Sequence, residues 1–186
     1  MKRIGVISCL VAAGMLAALA WADTRSSGVG NMLVEVTPTV AVTTVAEPEI
    51  QLVQTGQFEG ILTFLVEANV SQVCIFVEAS GLYLGNDPSN DAVEPIPVDT
   101  SVPALIDPMH ATPLNGGSHE AAWTGDGTPV GMFDTKLSES ICFQSSQDGI
   151  FSQEVDVAVT WVQNDPEKRT GMYGGKVRLT ALVQPN

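Results

Sequence analysis

Apolar and polar positions alternate over several stretches of this chain, and a period of two predicts β-strands. In FSQEVDVAVTWVQ (151–163), Val155, Val157, Val159 and Trp161 share one face, with Asp156 and Thr160 on the other. QFEGILTFLVEAN (57–69) puts Phe58, Leu62, Phe64 and Val66 on one side. The last such stretch, MYGGKVRLTALVQ (172–184), turns Val177, Leu179, Ala181 and Val183 inward and Lys176, Arg178 and Thr180 outward. VSQVCIFVEASGLYL (70–84) is apolar on both sides, as a central strand is. One buried and one solvated face is the mark of an antiparallel sheet.

Near its start the chain reads NMLVEVTPTVAVTT (31–44). Met32, Val34, Val36, Val40 and Val42 fall on one face of this predicted strand, and Leu33, Glu35, Thr37, Thr39 and Thr43 on the other. Pro38 removes one ladder donor, which places the strand at a sheet edge or at a crossing between sheets. A further strand is expected in EIQLVQ (49–54). After the first 22 residues, no 11-residue stretch free of Gly and Pro carries helical spacing. LGNDPSNDAVEPIPVDTSVPALIDP (84–108) and PLNGGSHEAAWTGDGTPVG (113–131) are turn-rich and predict loops, with short strands at 94–98 and 104–106. These elements sum to roughly seven to nine strands, a number that suits two packed layers better than one sheet.

Composition adds a compartment. MKRIGVISCLVAAGMLAALAWA has a basic start, an apolar run and a small-x-small end at Ala20–Ala22, which is the layout of a secretory signal peptide. The expected organisation is therefore a signal over 1–22, an N-terminal extension over 23–46 and a β domain over 47–186. The signal takes two of the eight basic residues and none of the 21 acidic ones, so the mature charge is 6 − 21 = −15. That balance argues against binding nucleic acid phosphates and anionic membrane surfaces. The mature chain carries no long apolar run able to span a bilayer. It keeps Cys74 and Cys142, which an oxidising compartment is expected to join.

Candidate chemistry is sparse, and no catalytic residue, cofactor or metal ligand is assigned. His110, His119, Asp107 and Glu120 sit close in sequence but match no metal-ligand spacing. NDPSND (86–91) is rich in oxygen ligands yet lacks the closing Glu of a calcium loop, and turns favour the same residues. No GxSxG occurs. Trp161 belongs to a strand, which leaves Trp123 as the aromatic expected at the surface. Asn69-Val70-Ser71 forms a glycosylation sequon.

The signal, the alternating N-terminal segment, the Cys pair and the closing G-x-Y-x-x-x-V-x-L pattern over 171–179 together resemble secreted subunits of chaperone–usher pili. The resemblance implies an all-β, immunoglobulin-like two-layer antiparallel β-sandwich that is non-enzymatic and acts as a structural or adhesive subunit at the cell surface or in the periplasm. It implies donation of the strand carrying Met32, Val34, Val36, Val40 and Val42 to another homo- or hetero-subunit. The acceptor groove would run beside Val177, Leu179, Ala181 and Val183, with a periplasmic chaperone and an outer-membrane usher as assembly partners. One alternative is a self-contained secreted or periplasmic sandwich that binds a sugar or Ca2+ through the loops over 85–129, and a second is a hydrolase using a pair of carboxylates.

Overall fold

Residues 37–46 and 55–183 are described by the computed structural model. Among the described residues, the alternating stretches 57–68, 151–163 and 177–183 form strands. The chain forms β1 (Val40–Ala46), β2 (Gly56–Ala68), β3 (Gln72–Ser80), β4 (Tyr83–Leu84), β5 (Ala104–Pro108), β6 (Ala111–Pro113), β7 (Glu120–Ala121) and β8 (Trp123–Asp126). It continues with β9 (Thr135–Ser138), β10 (Ile141–Ser145), β11 (Phe151–Gln163), β12 (Tyr173–Gly174) and β13 (Val177–Val183). Among the described residues there is one 3-10 turn and no α-helix. The strands outnumber the expectation because several, such as β4, β7 and β12, are two residues long. No strand forms over 94–98. Ile96 and Val98 make isolated bridges to Leu82 and Trp161 instead. Pro95 and Pro97 lack the N–H groups that a continuous ladder needs.

Every strand pairing among the described residues is antiparallel. The first sheet has the order β1-β2-β11-β5-β7. Its spine is the long β2–β11 ladder, which runs in unbroken register from Phe151↔Ala68 to Gln163↔Gly56. The second sheet has the order β6-β10-β3-β9-β8, and β13 pairs with β3 as well. β3 is central, as its two apolar faces predict: β10 and β9 share one of its edges and β13 takes the other. The ladder on the first edge breaks between β9 and β10. There the hydroxyl of Ser138 accepts the Val77 N–H at 2.9 Å, so a buried donor keeps a partner.

Both sheets feed one core. Phe64, Val66, Ile106, Val155, Val157 and Val159 come from the first sheet, and Val73, Ile75, Val77, Phe143 and Leu179 from the second. Each such side chain contributes roughly 1.5–3 kcal/mol by leaving water. Trp161 is buried as expected, and its indole N–H donates to the Ser80 carbonyl at 2.9 Å, a hydrogen bond from β11 across to β3. Cys74 and Cys142 are direct cross-strand partners in the β3–β10 ladder and are joined, with Cα atoms 3.8 Å apart. The bridge spans 68 residues; in the chain-entropy account a loop of that length stabilises by about 4 kcal/mol.

Candidate functional site

Two strands of opposite sheets meet at one side of the core. β1 forms the outer edge of the first sheet and lies against β13. β13 pairs with β3 from Val177↔Ala79 to Val183↔Val73. Among the described residues no other strand hydrogen-bonds to the far edge of β13. Unpaired edge groups form a template for another strand.

The sequence-predicted interface residues divide as follows. Leu179 and Ala181 are buried, and Val177 and Val183 are half-buried against the core. Val40 is also half-buried against the core, whereas Val42 is 37% exposed. Met32, Val34 and Val36 lie outside the described residues, as does the strand expected at 49–54. Within its own chain β1 pairs with β2, in a register from Val40↔Ala68 through Val42↔Val66 to Ala46↔Thr63, with an irregularity between Thr44 and Ala46. Every β1 side chain except Val40 is exposed. Backbone hydrogen bonds, more than burial, therefore hold this strand.

A residue that sequence reading treated only as a sequon extends that attachment. Asn69 follows β2 at the turn into β3. Its Oδ1 accepts the Thr39 N–H at 2.6 Å, and its Nδ2 donates to the Thr37 carbonyl at 3.0 Å. Its own N–H reaches the Thr39 carbonyl at 3.3 Å. Pro38 sits between the two held residues and needs no donor partner. The signal available in the sequence was an Asn at a strand end, where its side chain readily mimics backbone.

The outer face of the second sheet carries a second feature that sequence reading missed. Phe76, Leu137, Thr180 and Leu182 line an open trough of about 570 Å³. The lining also includes the buried Glu78, which pairs with Arg178 at 2.6 Å. Glu78 lies in the apolar run IFVEAS, and a carboxylate in such a run calls for a charged partner. Ser138, also in the lining, spends its hydroxyl on Val77 N–H and the Glu139 carbonyl. The trough thus combines apolar side chains with the Glu78–Arg178 pair.

In the loops over 85–129, Trp123, Asp87 and His119 each have partners within the chain. Trp123 is half-buried against the core, and its indole N–H donates to the Val102 carbonyl at 2.9 Å, which corrects the expectation of a surface aromatic. Asp87 accepts both the backbone N–H and the hydroxyl of Ser89, at 3.0 and 2.6 Å. The hydroxyl contact is the larger cause, the N–H the smaller, of a carboxyl pKa below the ordinary value. NDPSND is thereby a self-bonded turn. His119 Nδ1 lies 3.0 Å from the Ile106 carbonyl and 3.3 Å from Asp107. Among the described residues no group of three or more His, Cys, Asp or Glu side chains is placed to hold a metal ion. No described helix is long and apolar enough to cross a membrane.

Comparison with known proteins finds no matching family model, no matching curated protein and no matching solved structure.

Proposed function

We propose that this chain is an exported, non-catalytic structural subunit that associates with other subunits by exchange of a β-strand, on an immunoglobulin-like two-layer sandwich akin to those of chaperone–usher pilus subunits. The observation that carries this reading is the meeting of β1 and β13. β1 is an exposed edge strand tied by backbone contacts, and it lies beside an edge of β13 that no described strand pairs. An extended segment with alternating apolar side chains is the natural occupant of such an edge, because main-chain hydrogen bonds supply affinity and alternate side chains fill pockets. The preceding residues Met32, Val34 and Val36 continue that alternation in the sequence. The Cys74–Cys142 bridge supports an oxidising compartment, and the signal-like first 22 residues supply the route to it. An open edge of this kind favours aggregation unless covered, which gives a periplasmic chaperone its role.

Light scattering on the purified mature chain tests the proposal. Strand exchange gives masses at multiples of one subunit that grow with concentration. A single-subunit mass at every concentration refutes it.

A further inference from the structure

We infer that Asn69 is a latch that holds β1 on its own domain, and that its release makes the β2 edge an interaction surface for the β1 strand of a second copy. The inference deepens the proposed strand exchange and rests on it for its biological purpose, but the latch is testable without it.

The argument starts from how little else holds β1. Six of its seven side chains are exposed, so the apolar burial that fixes other strands is weak here. Its ladder reaches Thr63–Ala68 of β2. Segments with few buried apolar contacts and solvent-exposed hydrogen bonds open locally at low free energy. Against that background Asn69 contributes three hydrogen bonds to the two residues flanking Pro38, two through its side chain and one through its backbone. They continue the ladder beyond Val40↔Ala68 at a point where β2 has already turned away. Opening β1 uncovers one edge of β2, whose Phe64 and Val66 lie in the core. The occupant that fits this edge in register is the segment that left it, supplied by another copy. Val42 would again face Val66, now across two chains.

The same geometry bears on the sequon. Both ends of the Asn69 amide are engaged, and a glycan on Nδ2 removes a donor hydrogen and crowds the Thr37 carbonyl. Occupancy of the sequon and closure of the latch are therefore opposed.

Hydrogen exchange of the full mature chain tests the latch, with Asn69→Ala, Asn69→Asp and Ser71→Ala compared with the parent. In Asn69→Ala, the amides of Thr39 to Val45 should exchange about thirtyfold faster, the effect of losing two side-chain hydrogen bonds worth about 1 kcal/mol each. The β11 amides should be unchanged. Asn69→Asp keeps the acceptor for Thr39 and loses the donor to Thr37, so it should fall between. Ser71→Ala removes the sequon but keeps the amide, and should match the parent. Unchanged exchange at Thr39–Val45 in Asn69→Ala overturns the latch. So does uniform acceleration that includes β11, which would make Asn69 a general stability residue. Subunit exchange between isotopically light and heavy copies, followed by native mass spectrometry, then reads the second half: mixed species should form faster for Asn69→Ala. If local opening accelerates without any mixed species, the latch stands and the strand-exchange reading fails.

Discussion

Arg178 stands directly across the β13–β3 ladder from Glu78 and brings Nε to 2.7 Å and Nη2 to 2.6 Å from the same carboxylate oxygen, Oε2. The other oxygen accepts the Thr128 N–H at 2.7 Å, while Arg178 Nη2 also donates to the Thr128 carbonyl at 2.8 Å. The pair thus holds both backbone polar groups of one residue, Thr128, in the loop between β8 and β9. Glu78 is buried and Arg178 is partly exposed, so the two ends are unequal. Arg178→Ala strands a buried carboxylate and should cost about 3 kcal/mol. Glu78→Gln keeps an acceptor for Thr128 and should cost less, about 1 kcal/mol. Urea denaturation of both variants checks the order. Equal costs would show that the carboxylate is not held as described.

Gly175 sits where the backbone turns into β13. A Cβ there would stand 2.6 Å from the Gly81 carbonyl oxygen and 2.7 Å from the Ser80 hydroxyl. That hydroxyl accepts the Lys176 N–H at 2.8 Å, so the neighbour cannot move freely. Gly175→Ala should destabilise by about 1–3 kcal/mol through overpacking. Gly117→Ala is the control, because its new Cβ would meet nothing closer than 3.5 Å. It should change stability by less than about 0.5 kcal/mol. Thermal unfolding of both variants gives the comparison, and equal melting temperatures would contradict the tight approach.

Reducing the Cys74–Cys142 bridge removes a constraint on the unfolded chain. The Cys74→Ala, Cys142→Ala double variant should lose up to about 4 kcal/mol. Reductant should destabilise the parent protein in guanidinium by a similar amount and leave the variant unaffected. A parent protein indifferent to reductant would mean that the thiols are not joined in solution.

Asp99 supplies a pH dependence with a definite sign. Its carboxyl accepts the Ser101 hydroxyl at 2.6 Å, the Gln57 amide at 2.5 Å and the Ser101 N–H at 3.0 Å. In that order these contacts hold its pKa below the ordinary 3.8. A carboxyl with a depressed folded pKa contributes stability that is fully present above the unfolded value. That contribution is lost as pH falls through the lower folded value. Asp99→Asn should therefore be less stable than the parent at neutral pH, and the gap should narrow below about pH 4. A gap that stays constant down to about pH 2 would assign the loss to something other than ionisation.

How much of this was legible in the sequence follows from what alternation can encode. The faces of β2, β11 and β13 and the centrality of β3 were readable, because burial on one or both sides of a strand dictates which positions are apolar. Trp161 in the core was readable for the same reason. The failed strand at 94–98 was also encoded, in Pro95 and Pro97, but its valine and isoleucine outweighed them in a reading by periodicity. Trp123 was misjudged because its Gly-rich neighbours suggested exposure, whereas the Val102 carbonyl that captures its indole is 21 residues away. Glu78–Arg178, separated by 100 residues, and Asn69–Thr37, separated by 32, depend on which strands become neighbours. That information resides in topology, which no local pattern carries.

The central claim is that β1 of one copy leaves its own domain and pairs with another copy, and the inferred latch makes the β2 edge of that copy the place where it does so. Val42 and Val66 are direct partners in the ladder. Val42→Cys and Val66→Cys chains, purified separately, mixed and oxidised, turn that register into a covalent readout. Strand exchange predicts heterodimers linked specifically between residues 42 and 66, identified by peptide mapping, in greater yield than either homodimer. Monomers alone, or links without preference for the 42–66 pair, would contradict it.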